Sequence, residues 1–143
     1  MEFSDADITY LLGDILIVDT FRDLQGSHKA LTSNQLLPLV NGVLEGLADI
    51  HSKAIAKKVR HLLSLIRTYR TAWKFIMAET DGGPSTFLAA CEETKIDPGY
   101  LRRKVKEMYR LPFSPLLVDQ ACTRYMTQRE HYAGKGSRGK EQE

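Results

Sequence analysis

The sequence predicts an all-α protein, a multi-helix bundle of five or six helices. Apolar residues recur at helical spacing through most of the chain. The connections between those stretches are short and carry Gly, Pro and capping residues. Little of the sequence alternates in the way a half-buried strand requires. With 143 residues, 43% hydrophobic and 27% charged, the chain is one ordinary domain in length and is neither a disordered polyampholyte nor a membrane span.

The first helix is expected from Ser4 to Gly26. Ser4 with Asp7 three residues on forms a capping box, and the early carboxylates suit the positive end of a helix. Ile8, Leu11, Leu12, Ile15 and Leu16 follow at helical spacing, with a short strand over the β-prone Ile15–Val18 as the competing reading. Gln25–Lys29 is expected as a turn. Thr32 and Ser33 then offer an N-cap, and Pro38 falls early enough in the next helix to be tolerated. That helix, over 34–50, presents Leu36, Leu37, Val40, Val43, Leu44, Leu47 and Ile50 as one face, all expected to be buried.

The stretch from Ser52 to Glu79 is the most regular. Ile55, Val59, Leu62, Ile66, Tyr69, Trp73 and Ile76 are spaced 4, 3, 4, 3, 4 and 3, an a/d seam over three heptads without Pro or Gly. Lys53, Lys57, Lys58, Arg60, Arg67, Arg70 and Lys74 lie off the seam, and no acid appears before Glu79. Together with the first helix, the seam also suits a homodimer interface. Asp81–Pro84 ends this helix, since Gly favours a left-handed cap and Pro forbids continuation. A short helix to about Thr94 follows, then a restart in which Asp97 caps and Pro98 takes the first helical position. Ser114 and Pro115 start the last helix, and from Ala133 the composition predicts a disordered basic tail.

The net charge of +2 hides an uneven distribution. Residues 1–50 hold eight acids against Arg22 and Lys29, whereas residues 51–110 hold thirteen Lys and Arg against six acids. The middle of the chain therefore calls for an anionic partner or for an internal contact with the acidic first helix.

Residues 86–109 carry the functional signal. Two short helices joined by a tight turn, the second opening at Asp97–Pro98, are laid out as a helix-turn-helix. That unit needs a small residue where the helices cross (Cys91), an apolar plug in the turn (Ile96) and an anchor beyond it (Leu101), with Phe87 and Val105 at the outer contacts. The second helix, over 98–110, then exposes Gly99, Tyr100, Arg102, Arg103 and Lys106, the residues expected to read base edges. Arginine binds guanine in bidentate fashion, which suits Arg102 and Arg103 to that role. Lys95, Lys104 and Arg110, with Lys57 and Lys58 on the long basic helix, are expected on phosphates.

Residues 71–110, with Thr71–Ile76, Thr86–Glu92 and Ile96–Arg103 as the matching stretches, resemble a small helix-turn-helix module of bacterial and phage DNA-binding proteins. The resemblance implies binding to double-stranded DNA, in transcriptional control. It departs from the wider pattern at Lys95, where a glycine usually opens the turn.

The expected organisation is one domain over 1–132, with 1–80 as scaffold and 81–132 as helix-turn-helix plus bracing helix, followed by the tail at 133–143. Cys91 and Cys122 stand apart and read as buried thiols. His28, His51, His61 and His131 are scattered, without metal-ligand spacing. No phosphate-binding G-x-x-x-x-G-K-S/T loop or G-x-S-x-G elbow occurs, so no catalytic residue, metal or cofactor is assigned. The start of the chain lacks a secretory signal, which predicts a cytoplasmic protein without a membrane partner. The alternative to a DNA-binding regulator is a non-enzymatic adaptor that docks through its acidic N-terminal helix and basic middle helices, for example to RNA polymerase or another phage or host factor. RNA binding through the basic helix and tail is a third reading.

Overall fold

The computed structural model describes residues 15–78 and 87–140. They form α1 (Ile15–Leu31), α2 (Leu37–Leu44), α3 (Lys53–Met77), α4 (Phe87–Thr94), α5 (Pro98–Met108) and α6 (Pro115–Lys140). Among the described residues there is no strand, and the competing run Ile15–Val18 is helical. The Ser4–Asp7 capping box and the Asp81–Pro84 break lie outside the described residues. The chain divides into two compact units, Met1–Lys29 with Thr68–Leu111 and Ala30–Arg67 with Pro112–Glu143. Helix α3 crosses the division and contributes to both.

In the first unit, Ile17, Phe21 and Leu24 of α1, Tyr69 and Ile76 of α3, Phe87 and Cys91 of α4, and Leu101 and Val105 of α5 are all buried. Phe75 meets Phe87 edge-on with centroids 5.9 Å apart, the arrangement ring quadrupoles favour. Tyr109, which ends α5, gathers the rest. Its hydroxyl accepts from Gln25 Nε2 at 2.7 Å, its carbonyl accepts from the Tyr69 hydroxyl at 2.6 Å, and the His28 ring stands edge-on to it at 5.5 Å.

The turn expected at Gln25–Lys29 is instead the last part of α1. A helical glycine such as Gly26 costs about 1 kcal/mol relative to alanine. Burying Leu24 and Leu31, both fully enclosed, offsets that by about 1.5–3 kcal/mol each. The Ser27 hydroxyl bonds back to the carbonyls of Asp23 and Leu24, so its polar group is satisfied inside the helix.

In the second unit, α2 packs on α6. Val40 and Val43 of α2, Ala56, Val59, Leu62 and Ile66 of α3, and Val118, Ala121, Cys122 and Tyr125 of α6 form the core. Helix α2 is shorter than its apolar run. At its end Gly46 takes φ +72°, returning the Leu47 N–H to the Gly42 carbonyl at 2.8 Å and its own N–H to Val43 at 3.2 Å. This Schellman closure breaks the helical period. Leu47 is consequently 74% exposed and Leu44 36% exposed, against the expectation that both were buried. From α6, Tyr125 donates to the Asp49 carbonyl at 2.6 Å and Arg129 to the Ile50 carbonyl at 2.7 Å, holding the connection into α3. Ser52 caps α3 and Ser114 caps α6 through their hydroxyls.

The α3 seam is buried at Val59, Leu62, Ile66, Tyr69 and Ile76, with Ala56 and Ala72 filling it out. The chain's own residues cover these positions of the seam, while Ile55 and Trp73 are half-buried. Helix α6 continues to Lys140 where a disordered tail was expected from Ala133. No proline follows Pro115 to stop the helix, and each glycine weakens it by only about 1 kcal/mol.

Candidate nucleic-acid interface

Helices α4 and α5 are joined by Lys95, Ile96 and Asp97. The join repeats the closure seen at Gly46, but with a lysine in the left-handed position. Lys95 takes φ 60°, its N–H reaches the Glu92 carbonyl at 3.3 Å, and the Ile96 N–H reaches Cys91 at 2.9 Å. The left-handed position that glycine usually takes is thus filled by Lys95. Asp97 then accepts from the N–H groups of Gly99 and Tyr100, both at 3.2 Å, and Pro98 needs no donor at the first helical position. Cys91, Phe87, Leu101 and Val105 are buried as their spacing predicts, and Ile96 is half-buried.

With Leu101 and Val105 inward, Arg103, Lys106 and Arg110 fall on the outer face of α5 and just beyond its end, and all three are exposed. Tyr100 is 46% exposed. Lys104 lies over the Tyr100 ring, 5.8 Å from its centroid, and pairs with Glu107 at 3.8 Å. Gly99 is half-buried; a Cβ there would sit 3.7 Å from a terminal nitrogen of Arg103, so that guanidinium lies beside the first turn of the helix. Lys95 is exposed at the turn. Among the described residues no acid pairs with Lys95, Arg103, Lys106 or Arg110. The Arg110 charge reaches inward to the Tyr69 phenol, where it partly counters the effect of burial.

Arg102 departs from the expectation of a base-reading residue. Its Nε donates to the Ile76 carbonyl at 2.8 Å, a terminal nitrogen donates to the Ala78 carbonyl, and the guanidinium lies 5.2 Å from the Phe87 centroid. Carbonyls at the end of a helix lack intrahelical donors and carry the negative end of its dipole, so a cation is held there. Arg102 is a brace between α5 and the end of α3, turned away from the face that Arg103 presents.

Lys57 and Lys58 are exposed on α3 and belong to the second unit, whereas α5 belongs to the first. The expected contact between the basic helix and Asp7 or Asp14 falls outside the described residues, while Asp19 pairs with Arg22 of its own helix at 3.9 Å. The ion pair on this part of α3 is Arg67 to Asp119 of α6, at 3.5 Å. It borders an open groove of about 550 Å³ that sequence reasoning missed, lined also by Thr123, Arg124, Thr127 and Gln128. In the sequence Gln120, Thr123, Arg124, Thr127 and Gln128 share one helical face with Asp119 as its acid.

Among the described residues no group of three His, Cys, Asp or Glu is placed to hold a metal ion, and no helix is long and apolar enough to cross a membrane. No family model matches the chain, and no curated protein or solved structure matches it either.

Proposed function

We propose that the chain is a DNA-binding protein of transcriptional control, in which α4, the Lys95 turn and α5 act as a helix-turn-helix and α5 enters the major groove. The observation that carries this reading is the outward stripe of Arg103, Lys106 and Arg110, unpaired among the described residues and continued by Lys95 at the turn. Six cations stand against two acids between Lys95 and Arg110. A helix of this kind places its N-terminal turns at base edges and its remaining cations on phosphates. Arg103 is the base reader, Tyr100 and Gly99 lie beside it, and Lys95, Lys104, Lys106 and Arg110 set register and affinity. Control follows from occupancy of a site on DNA.

Selection from a randomised duplex pool at two salt concentrations, with sequencing of the retained fraction, tests the reading. An enriched motif is expected, and Arg103→Ala should relax it at one position by about 1–3 kcal/mol, the worth of a bidentate arginine–guanine contact. Unselective retention that moderate salt abolishes would leave only a basic surface. Failure to retain DNA at low salt would favour the adaptor reading, in which the basic middle helices meet a protein partner.

A further inference from the structure

We infer that the second unit carries a separate site for the phosphodiester backbone of nucleic acid, the groove between Arg67 of α3 and the polar face of α6. The Arg67 side chain lines the groove, is 59% exposed, and has its Nε 3.5 Å from an Asp119 carboxylate oxygen. Across the groove stands Arg124, exposed and without an acid partner among the described residues. Thr123, Thr127 and Gln128 of α6 line the same groove, with the Thr123 hydroxyl donating to Asp119 at 3.4 Å. Guanidinium, hydroxyl and amide groups are the set that proteins use on phosphate and sugar oxygens.

The chemistry of the lining selects the occupant. Asp119 is the single carboxylate, and Arg67 already neutralises it, so a divalent cation would find too few oxygen ligands. No aromatic side chain lines the groove, so it offers no platform on which a base would stack. The groove is open, and cations continue beyond it. Lys53, Lys57, Arg60, Ser64 and Arg67 follow one exposed stripe of α3 at helical spacing, with no acid on that helix. A row of cations along an open channel fits a chain of phosphates better than one small anion.

This site does not depend on the α5 reading and shares with it only the class of ligand. The test is fluorescence anisotropy of the full chain with a labelled duplex of arbitrary sequence, over a series of salt concentrations. Arg67→Gln with Arg124→Gln should weaken binding about tenfold at low salt and reduce the log–log salt slope by about two. Arg124→Gln alone, which disturbs no ion pair, should reduce the slope by about one. Unchanged affinity and slope in both variants would overturn the site. Equal competition by polyglutamate at matched charge would overturn the choice of nucleic acid, and displacement of the duplex by a mononucleotide at comparable concentration would overturn the polymer. Arg103→Ala, run alongside, separates the two readings: it should relax the enriched motif at one position while leaving the effect of the groove variants intact.

Discussion

Arg102 donates through Nε to the carbonyl oxygen of Ile76 at 2.8 Å, joining α5 to the last turn of α3 across 26 residues of sequence. A second bond, to the Ala78 carbonyl, and the Phe87 ring 5.2 Å away add to the hold on this cation. Hydrogen bonds to a charged group contribute about 1.5–3 kcal/mol, and a cation over a ring about 0.5–1 kcal/mol. Arg102→Met keeps much of the stem and should lower unfolding free energy by about 2–3 kcal/mol in urea titrations. Its folded fraction should keep the sequence preference of the parent. A fully stable Arg102→Met with altered preference would place the guanidinium on DNA instead.

The contrast between Arg102 and Arg103 shows what sequence reading reaches and where it stops. The α3 seam was legible because a periodic apolar stripe has to be covered, and Val59, Leu62, Ile66, Tyr69 and Ile76 are covered. Asp97 and Pro98 were legible because capping is local, settled within three residues. Arg102 was not, since its partners are backbone carbonyls that every residue possesses. The groove at Arg67 and Arg124 needs two helices distant in sequence, and neither marks its partner. At Gln25–Lys29 local propensity pointed to a turn, and burial of α1 outweighed it.

Lys95 and Gly46 occupy the same left-handed position in equivalent helix ends, at φ 60° and φ +72°. A side chain in that region costs about 1–3 kcal/mol, which glycine avoids at a smaller entropic penalty. Lys95→Gly should therefore raise stability by about 0.5–1 kcal/mol, read as a higher urea midpoint with unchanged slope. Lys95→Val should lower it, because β-branching makes a positive φ harder still. Gly46→Ala should also be destabilising, by about 1 kcal/mol, although a Cβ there meets no atom within 4 Å. A neutral Gly46→Ala would show that the closure after α2 is not held in this conformation.

Cys91 and Cys122 are free thiols with 1% and 0% exposure. Burial pushes the Cys122 thiol up to about 12, with the neighbouring Asp119 charge adding to the effect and Arg67 opposing it. Because the thiolate is the reactive form, Ellman's reagent should find neither cysteine in the native protein at pH 8 and both in urea. The rate should follow the unfolded population as urea rises. Rapid reaction of either thiol without denaturant would contradict the burial of the α4 or α6 face that holds it.

The Tyr69 phenol sets the direction of the alkaline limit. Burial raises it from 10.0 to about 12, with the Arg110 charge and a Leu111 backbone hydrogen bond pulling the other way. The folded state then holds this proton at a pH where the unfolded chain has released it, so the unfolded state binds fewer protons and stability declines with rising pH. Its contribution is whole below pH 10 and is lost as pH climbs toward about 12. Tyr69→Phe removes the bond to the Tyr109 carbonyl and should cost about 1–2 kcal/mol at neutral pH. The variant should lose less stability than the parent over the same alkaline window, while the decline due to Cys122 remains in both. Urea midpoints at pH 8, 10 and 11.5 measure the difference, and parallel declines in the two proteins would show that the Tyr69 hydroxyl is not held as a buried donor.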